Sequence, residues 1–220
     1  MEEQTHDPRP LPAVIVNGPR SAGTNALKAV LGELGLRERP GGLMDGRFYE
    51  SREGRVAGRW RGLAEIDGAL LPGELIGAHE PALVTRHVQI GILRQPRDLA
   101  VSLFRKQHRE MPVTPADFRG WIETPDCVFF SRTAPFWRWW PSLDRAGIPD
   151  LIVWYDHLFD PDVVATIAAF CRVPAADVSA AKGRGKMWTG APSDHREWFS
   201  PAALQRFDER WAAAVRGLAK

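Results

Sequence analysis

The stretch that decides the fold is AVIVNGPRSAGTN, residues 13–25. It joins a short apolar run to a turn that carries Gly18, Pro19 and Gly23. A continuous apolar run that ends at such a turn is typical of a strand buried within a parallel sheet. Residues 24–36 then repeat leucine and valine at helical spacing, so a strand, a glycine turn and a helix are predicted in that order.

The same alternation continues along the chain. Further apolar runs with strand character lie at residues 75–78, 88–93 and 151–154. Helical patterns lie at residues 97–109, after Asp160-Pro161 and after Ser200-Pro201. In the last two, a capping residue precedes a proline at the first helical position. The pattern predicts a three-layer αβα sandwich around a central parallel sheet.

Residues 37–73 break this pattern, because they are rich in glycine and arginine and show little periodicity. They predict a long irregular segment, with a hairpin at most. Long segments of this kind are often functional, so this one is a candidate lid or acceptor loop.

Composition excludes several classes of protein. The 220 residues carry a formal net charge of +2, which is too small for a protein that coats nucleic acid. The two cysteines cannot build a disulfide framework, and no apolar stretch reaches the ~20 residues of a membrane span. We expect a disordered lead over residues 1–11, a single domain over residues 12–220, and a cytoplasmic protein with no nucleic-acid partner. The oligomeric state stays open.

Ligands of parallel sheets bind beyond the carboxyl ends of the strands, so the residues that follow the strands are the candidate site. Gly18 and Gly23 have the Gly-x-x-x-x-Gly spacing of a nucleotide-binding P-loop, and backbone N–H groups there would bind an anion. A P-loop NTPase-like sheet is therefore expected. Thr24 and Asn25 stand where a kinase has lysine and Ser/Thr, so magnesium-dependent phosphoryl transfer lacks its usual residues.

A second motif follows the predicted strand at residues 88–93. Arg94 can offer a bidentate guanidinium to a phosphate, and Ser102 stands eight residues later on the predicted helix. Taken alone, these residues are equally consistent with a surface arginine and an ordinary helix.

Together, strand–PRSxGTN–helix and strand–RQPRDLAVS–helix resemble the PAPS-dependent sulfotransferases. The resemblance implies that the first loop binds the 5′-phosphosulfate of 3′-phosphoadenylyl sulfate (PAPS), through Gly18, Arg20, Ser21, Ala22, Gly23, Thr24 and Asn25. It implies that Arg94 and Ser102 bind the 3′-phosphate. Adenosine 3′,5′-bisphosphate (PAP) is then the product, and no metal is required.

Two later segments are also similar to that family, so the likeness extends from residue 14 to about residue 200 in the family's order. Tyr155-Asp156-His157-Leu158 resembles its Tyr-Glu-Asp-Leu segment, which makes Tyr155 a nucleotide-binding candidate. Gly183-Arg184-Gly185-Lys186 resembles the C-terminal loop that closes over the 3′-phosphate, which implies binding by Arg184, Gly185 and Lys186.

His79-Glu80-Pro81 resembles the family's His-x-Pro, where histidine accepts the proton of the acceptor hydroxyl. His79 is therefore the candidate base and Glu80 the reserve, with a buried structural histidine as the alternative. Arg20 would hold the migrating sulfuryl group. His87, His108 and His157 are interpreted as surface residues.

The chain departs from the family loop in two ways. Ala22 is an extra residue before Gly23, and Ala26 stands where the family often has an aromatic residue that faces adenine. Adenine stacking would then fall to the aromatic residues near Trp154 and Tyr155.

Residues 118–146 form an aromatic-rich helical segment on the expected acceptor side, although half of its rings are as readily explained as core. The predicted reaction is sulfuryl transfer to a hydroxyl or amine of a small-molecule or carbohydrate acceptor. Two alternatives remain, a P-loop nucleotide or sugar kinase and a non-catalytic nucleotide-binding scaffold.

Overall fold

The computed structural model describes residues 10–44, 47–49, 51–52, 55–56, 61–62, 70–125, 127–140, 148–184 and 195–217. The strands in these ranges are β1 Val14–Asn17, β2 Arg37–Met44, β3 Arg47–Tyr49, β4 Ser51–Arg52, β5 Arg55–Val56, β6 Arg61–Gly62, β7 Glu74–Ala78, β8 Val88–Leu93 and β9 Leu151–Trp154. The α-helices are α1 Thr24–Glu33, α2 Pro96–Gln107, α3 Pro115–Glu123, α4 Val128–Trp139, α5 Pro161–Cys171, α6 Ala181–Arg184 and α7 Pro201–Val215. Short 3₁₀ turns lie at Tyr155–His157 and His195–Glu197.

The main sheet has the strand order β6-β3-β2-β7-β1-β8-β9. Strands β2, β7, β1, β8 and β9 pair in parallel, and β1 lies between β7 and β8, with Val14 opposite both Leu75 and Val88. The predicted α/β fold with a central parallel sheet is confirmed, as are the four strands that were predicted from apolar runs.

The prediction of an irregular segment over residues 37–73 is wrong at its start, because β2 is a full member of the parallel sheet. Its sequence, RERPGGLM, has no apolar run. The pairing with β7 shifts register between Glu38 and Gly42, and Gly41 has a φ of 134° there. A bulge of this kind interrupts the side-chain alternation by which a strand is predicted. The hairpin is present, since β2 and β3 pair in antiparallel fashion.

Apolar residues cover the sheet on both faces. Val14 and Val16 belong to a large cluster that includes residues of the surrounding helices, among them Leu27 of α1 and Phe104 of α2. Ile15 points to the opposite face and belongs to a second cluster with Ile76 and Leu43. Because both faces of β1 are covered by apolar residues, its sequence is an apolar run without alternation.

The predicted helix starts at Pro161 and Pro201 are confirmed. Ser200 caps α7 by accepting a hydrogen bond of 3.3 Å from the N–H of Ala203. Asp160 occupies the N-cap position of α5 without a capping bond, because its carboxylate accepts a hydrogen bond of 2.9 Å from Nδ1 of His157.

Helices α3 and α4 carry most of the aromatic residues of the segment that was expected on the acceptor side. Four of its rings are core residues, each at most 2% exposed, namely Phe118, Phe129, Phe136 and Trp140. Phe118 and Phe129 pack with rings of α2, of α7 and of the turn before α7, whereas Phe136 and Trp140 pack against each other. The core interpretation therefore holds for this set.

Candidate active site

Three neighbouring strands bring the predicted site residues to one edge of the sheet. His79 follows β7, the glycine loop follows β1, and Arg94 follows β8. Because these strands are parallel and adjacent, the glycine loop begins between the base candidate and the phosphate-binding candidate.

The glycine loop is held tightly by its neighbours. A Cβ atom on Gly18 would lie 2.5 Å from the carbonyl oxygen of Ile92. A Cβ atom on Gly23 would lie 2.3 Å from Cδ2 of Tyr155, and Gly23 has a φ of 113°. Both positions therefore require glycine. At Gly18 the reason is the close approach of another segment, and at Gly23 it is both a close approach and the left-handed backbone conformation.

The extra residue of the loop is accommodated by a tight turn. Ala22 is fully buried, and its N–H donates a hydrogen bond of 3.1 Å to the carbonyl of Pro19. Ser21 adopts a left-handed φ of 69°, which is uncommon for a residue with a side chain. Its buried hydroxyl has no hydrogen-bond partner among the described residues. Such an atom at an anion loop needs a partner, and a ligand oxygen would supply one.

Arg94 is buried, with 8% of its surface exposed. Its Cζ atom lies 4.7 Å from the centre of the Tyr155 ring, and its Nε has no hydrogen-bond partner in the described ranges. Since Tyr155 also contacts Gly23, one ring joins the arginine to the glycine loop. Tyr155 is thus a packing residue between the two predicted phosphate sites, and Trp154, 39% exposed, is the accessible ring beside it.

His79 is oriented by the glycine loop itself. Its Nδ1 lies 2.7 Å from the carbonyl oxygen of Gly18. A carbonyl only accepts, so Nδ1 carries the proton and Nε2 is left as the acceptor. The pKa of His79 is lowered to about 4, mainly by burial and in addition by the charges of Arg20, Lys106 and Lys28, while the Gly18 hydrogen bond opposes the shift. The ring is therefore neutral at pH 7.

Asn17 fixes the backbone beside His79, and sequence reasoning missed it. Its Nδ2 donates to the carbonyl of Glu80 at 2.6 Å and to Oε1 of Gln89 at 2.8 Å. Its Oδ1 accepts a hydrogen bond of 3.0 Å from the N–H of Glu80. Asn17 could have been identified from the sequence, because it is an amide at the end of an otherwise apolar strand. An amide that is fully buried needs hydrogen-bond partners.

His79 opens into a cavity of about 700 Å³. Arg20 and Glu80 line the same cavity as His79, and their catalytic roles stay predictions. The remaining lining residues are Pro81 and residues of α2, of the turn after α2 and of α4. They are Pro81, Leu103, Lys106, Gln107, His108, Arg109, Glu110, Met111, Val128, Ser131, Arg132, Thr133, Pro135 and Phe136. His108, which was interpreted as a surface residue, is half-buried and lines the same cavity.

The start of α2 is tied to the C-terminal region. Arg97 binds the carboxylate of Asp208 in α7 through Nε at 3.1 Å and Nη2 at 2.6 Å. Asp98 accepts a hydrogen bond of 2.9 Å from Nδ1 of His195. These contacts bring the chain that follows residue 194 against the helix that carries Ser102.

The remaining nucleotide-binding candidates are placed as follows. Thr24 is buried at the start of α1, Asn25 is exposed, and Ser102 is half-buried on α2. The backbone of Arg184 ends α6, and Gly185 and Lys186 lie outside the described residues. Their binding roles stay predictions.

The fold and site define an α/β protein with a glycine-bearing loop at the carboxyl edge of its parallel sheet. Among solved structures, the chain is similar to mouse sulfotransferase SULT7A1 complexed with PAP, with a TM-score of 0.58, 17% identity, and coverage of 92% of this chain and 84% of that one. It is also similar to a sulfotransferase from Alicyclobacillus acidocaldarius, with a TM-score of 0.53, 16% identity and coverage of 94% of both chains. The chain therefore has the sulfotransferase fold, and the predicted resemblance is confirmed at that level.

No family model matches the sequence, and no curated protein matches it. None of the helices within the described ranges combines the length and apolar character of a membrane span.

Proposed function

We propose that this protein transfers a sulfuryl group from PAPS to a hydroxyl or amine of a small-molecule or carbohydrate acceptor. The observation that carries the proposal is the hydrogen bond of 2.7 Å from Nδ1 of His79 to the carbonyl of Gly18. It holds a neutral proton acceptor against the loop that would bind the reacting end of the donor. The likeness to a sulfotransferase complexed with PAP supports the same reading.

The residues present fit a donor with two phosphate-bearing ends. The buried Ser21 hydroxyl and the buried Nε of Arg94 both have no hydrogen-bond partner among the described residues. They belong to the loop after β1 and to the end of β8, and Tyr155 contacts both segments. We infer that the loop binds the 5′-phosphosulfate and that Arg94, with Ser102, binds the 3′-phosphate.

The proposed step is an in-line displacement at sulfur. The acceptor oxygen or nitrogen forms a bond to sulfur, the bond from sulfur to the phosphate oxygen breaks, and the acceptor proton passes to Nε2 of His79. The products are the sulfated acceptor and PAP. Arg20 and the N–H groups of the loop stabilise charge on the sulfuryl and phosphate oxygens, because these donors are in place before the reaction.

The low pKa of His79 is consistent with this role. A base with a pKa of about 4 is weak, but part of that lowering comes from Arg20, Lys106 and Lys28. An anionic donor at the loop offsets those charges and raises the pKa of His79 towards its ordinary value. Donor binding would thus strengthen the base when it is needed. Glu80 remains the reserve candidate.

The test compares thermal stabilisation by PAP, ADP and ATP, each with Mg²⁺ and with EDTA. Selective stabilisation by PAP that does not depend on Mg²⁺ is the expected result, because a ligand that binds only the folded state raises its stability. Stabilisation by ATP only with Mg²⁺ would favour the kinase alternative. No response to any nucleotide would contradict the proposal.

A further inference from the structure

Positive charge is concentrated in the cavity that His79 opens into. Its lining includes four Lys and Arg residues and two Glu residues, whereas the whole chain has a formal net charge of only +2. Burial, and then the charges of Arg20 and Arg109, lower the pKa of Lys106. Arg20 and Arg109 therefore both lie close enough to Lys106 to repel its charge, and such a group favours an anionic ligand.

Two of the cavity's cations belong to elements that carry none of the donor-binding motifs. Arg109 lies in the turn after α2, and Arg132 lies on α4. Arg109 makes only a loose contact of 3.8 Å with the exposed Glu110. Among the described residues, no carboxylate lies within ion-pair distance of Arg132 or Lys106. These arginines are therefore available to a ligand in the cavity.

The walls between the charges are apolar. Leu103 and Phe136 line the cavity, as do Met111 and Val128, which are 64% and 42% exposed. Exposed apolar side chains that line a concave site favour an apolar body in the ligand.

We propose that the acceptor is an amphipathic compound that carries an anionic group in addition to its reacting hydroxyl or amine. The proposal rests on the proposed function. Arg109 and Arg132 bind the anionic group, the apolar walls bind the body, and the reacting group faces His79. Arginine suits this task because its guanidinium binds a carboxylate, sulfate or phosphate through two parallel hydrogen bonds.

The test measures binding to the protein saturated with PAP, by titration calorimetry, so that no turnover is needed. The probes are matched pairs of hydroxylated acids and their amides: 4-hydroxybenzoate, 4-hydroxyphenylacetate and 3-(4-hydroxyphenyl)propanoate. We expect at least one carboxylate to bind about tenfold more tightly than its neutral amide, a difference of about 1.4 kcal/mol.

Substitutions test whether the preference for the carboxylate over its amide depends on Arg109 and Arg132. Arg109→Gln combined with Arg132→Gln should abolish it, and Arg132→Glu should reverse it. The matched control is Arg216→Gln, an exposed arginine at the end of α7, which should leave it unchanged. Circular dichroism and PAP affinity confirm that each variant is folded.

The outcomes separate the two proposals. If PAP binds but no carboxylate is preferred, or if the preference survives in the double variant, the acceptor inference is wrong and the proposed function stands. If PAP does not bind at all, the proposed function fails and the acceptor inference fails with it.

Discussion

His79 combines a tautomer that is fixed by the loop carbonyl with a ring that opens into a charged cavity. His79→Asn removes the proton acceptor and keeps a side chain of similar polarity. We expect kcat to fall by about 10²–10⁴-fold while the affinity for PAP changes by less than about threefold. Steady-state kinetics and calorimetry measure the two quantities. Full activity in this variant would remove His79 from the mechanism.

The same histidine should make stability depend on pH. Its pKa is about 4 in the folded protein and about 6.5 in the unfolded chain, so the unfolded chain binds more protons between these values. Stability should therefore fall as pH falls from about 6.5 to about 4, by up to about 3 kcal/mol from this residue. Urea unfolding of wild type and His79→Asn at pH 7 and pH 4.5 checks this. An equal loss in both proteins would contradict the assignment.

Asn17 is a positioning residue, because it holds the backbone of Glu80 through both its amide atoms. Asn17→Ala leaves those buried groups without partners, so we expect a loss of about 1–3 kcal/mol in unfolding free energy. We also expect a lower kcat at nearly unchanged PAP affinity. Thr166→Ala, which removes an exposed hydroxyl bond of 2.8 Å on α5, is the control. A change in stability without any change in kcat would limit Asn17 to a structural role.

At the level of elements, the loop between β1 and α1 shows how closely the chain packs around its predicted anion site. Gly23→Ala places a Cβ atom against the Tyr155 ring in a backbone conformation that alanine disfavours. We expect it to destabilise the protein by about 1–3 kcal/mol and to weaken PAP binding. Gly32→Ala in α1 is the control, since no atom outside the backbone of the helix itself lies within 4 Å of the added Cβ, and it should stabilise the protein by about 0.5–1 kcal/mol. Equal effects of the two substitutions in urea unfolding would contradict this picture.

Strands could be predicted from the sequence where both of their faces are buried. β1 and β8 are buried on both faces, so their apolar runs identify them directly. β2 was not predictable, because Pro40, Gly41 and the register shift break any alternation, and its pairing with β7 is what makes it a strand. The cavity beside His79 was not predicted from the sequence for a related reason. His108 and Arg132 lie on different elements, and only tertiary packing brings them to one wall.

At the level of the whole molecule, the sheet order explains why the chain's separate motifs could act together. β1 lies between β7 and β8, so residues about sixty positions apart meet at one edge. The C-terminal region contacts the start of α2, because Arg97 binds Asp208 and Asp98 binds His195. The position of the motifs after parallel strands predicted that these strand ends meet, whereas the contacts of the C-terminal region with α2, the bonding of Asn17 and the stacking of Arg94 on Tyr155 required the packed structure.

The most direct test of the central claim measures how much the 3′-phosphate adds to nucleotide affinity. Calorimetry would compare PAP with adenosine 5′-phosphate in wild type, in Arg94→Gln, and in Arg86→Gln as an exposed control. If the ends of β1 and β8 bind the two phosphates of one donor, wild type and the control should prefer PAP by at least about tenfold, and Arg94→Gln should lose most of that preference. A preference that is the same in all three folded proteins would contradict the claim.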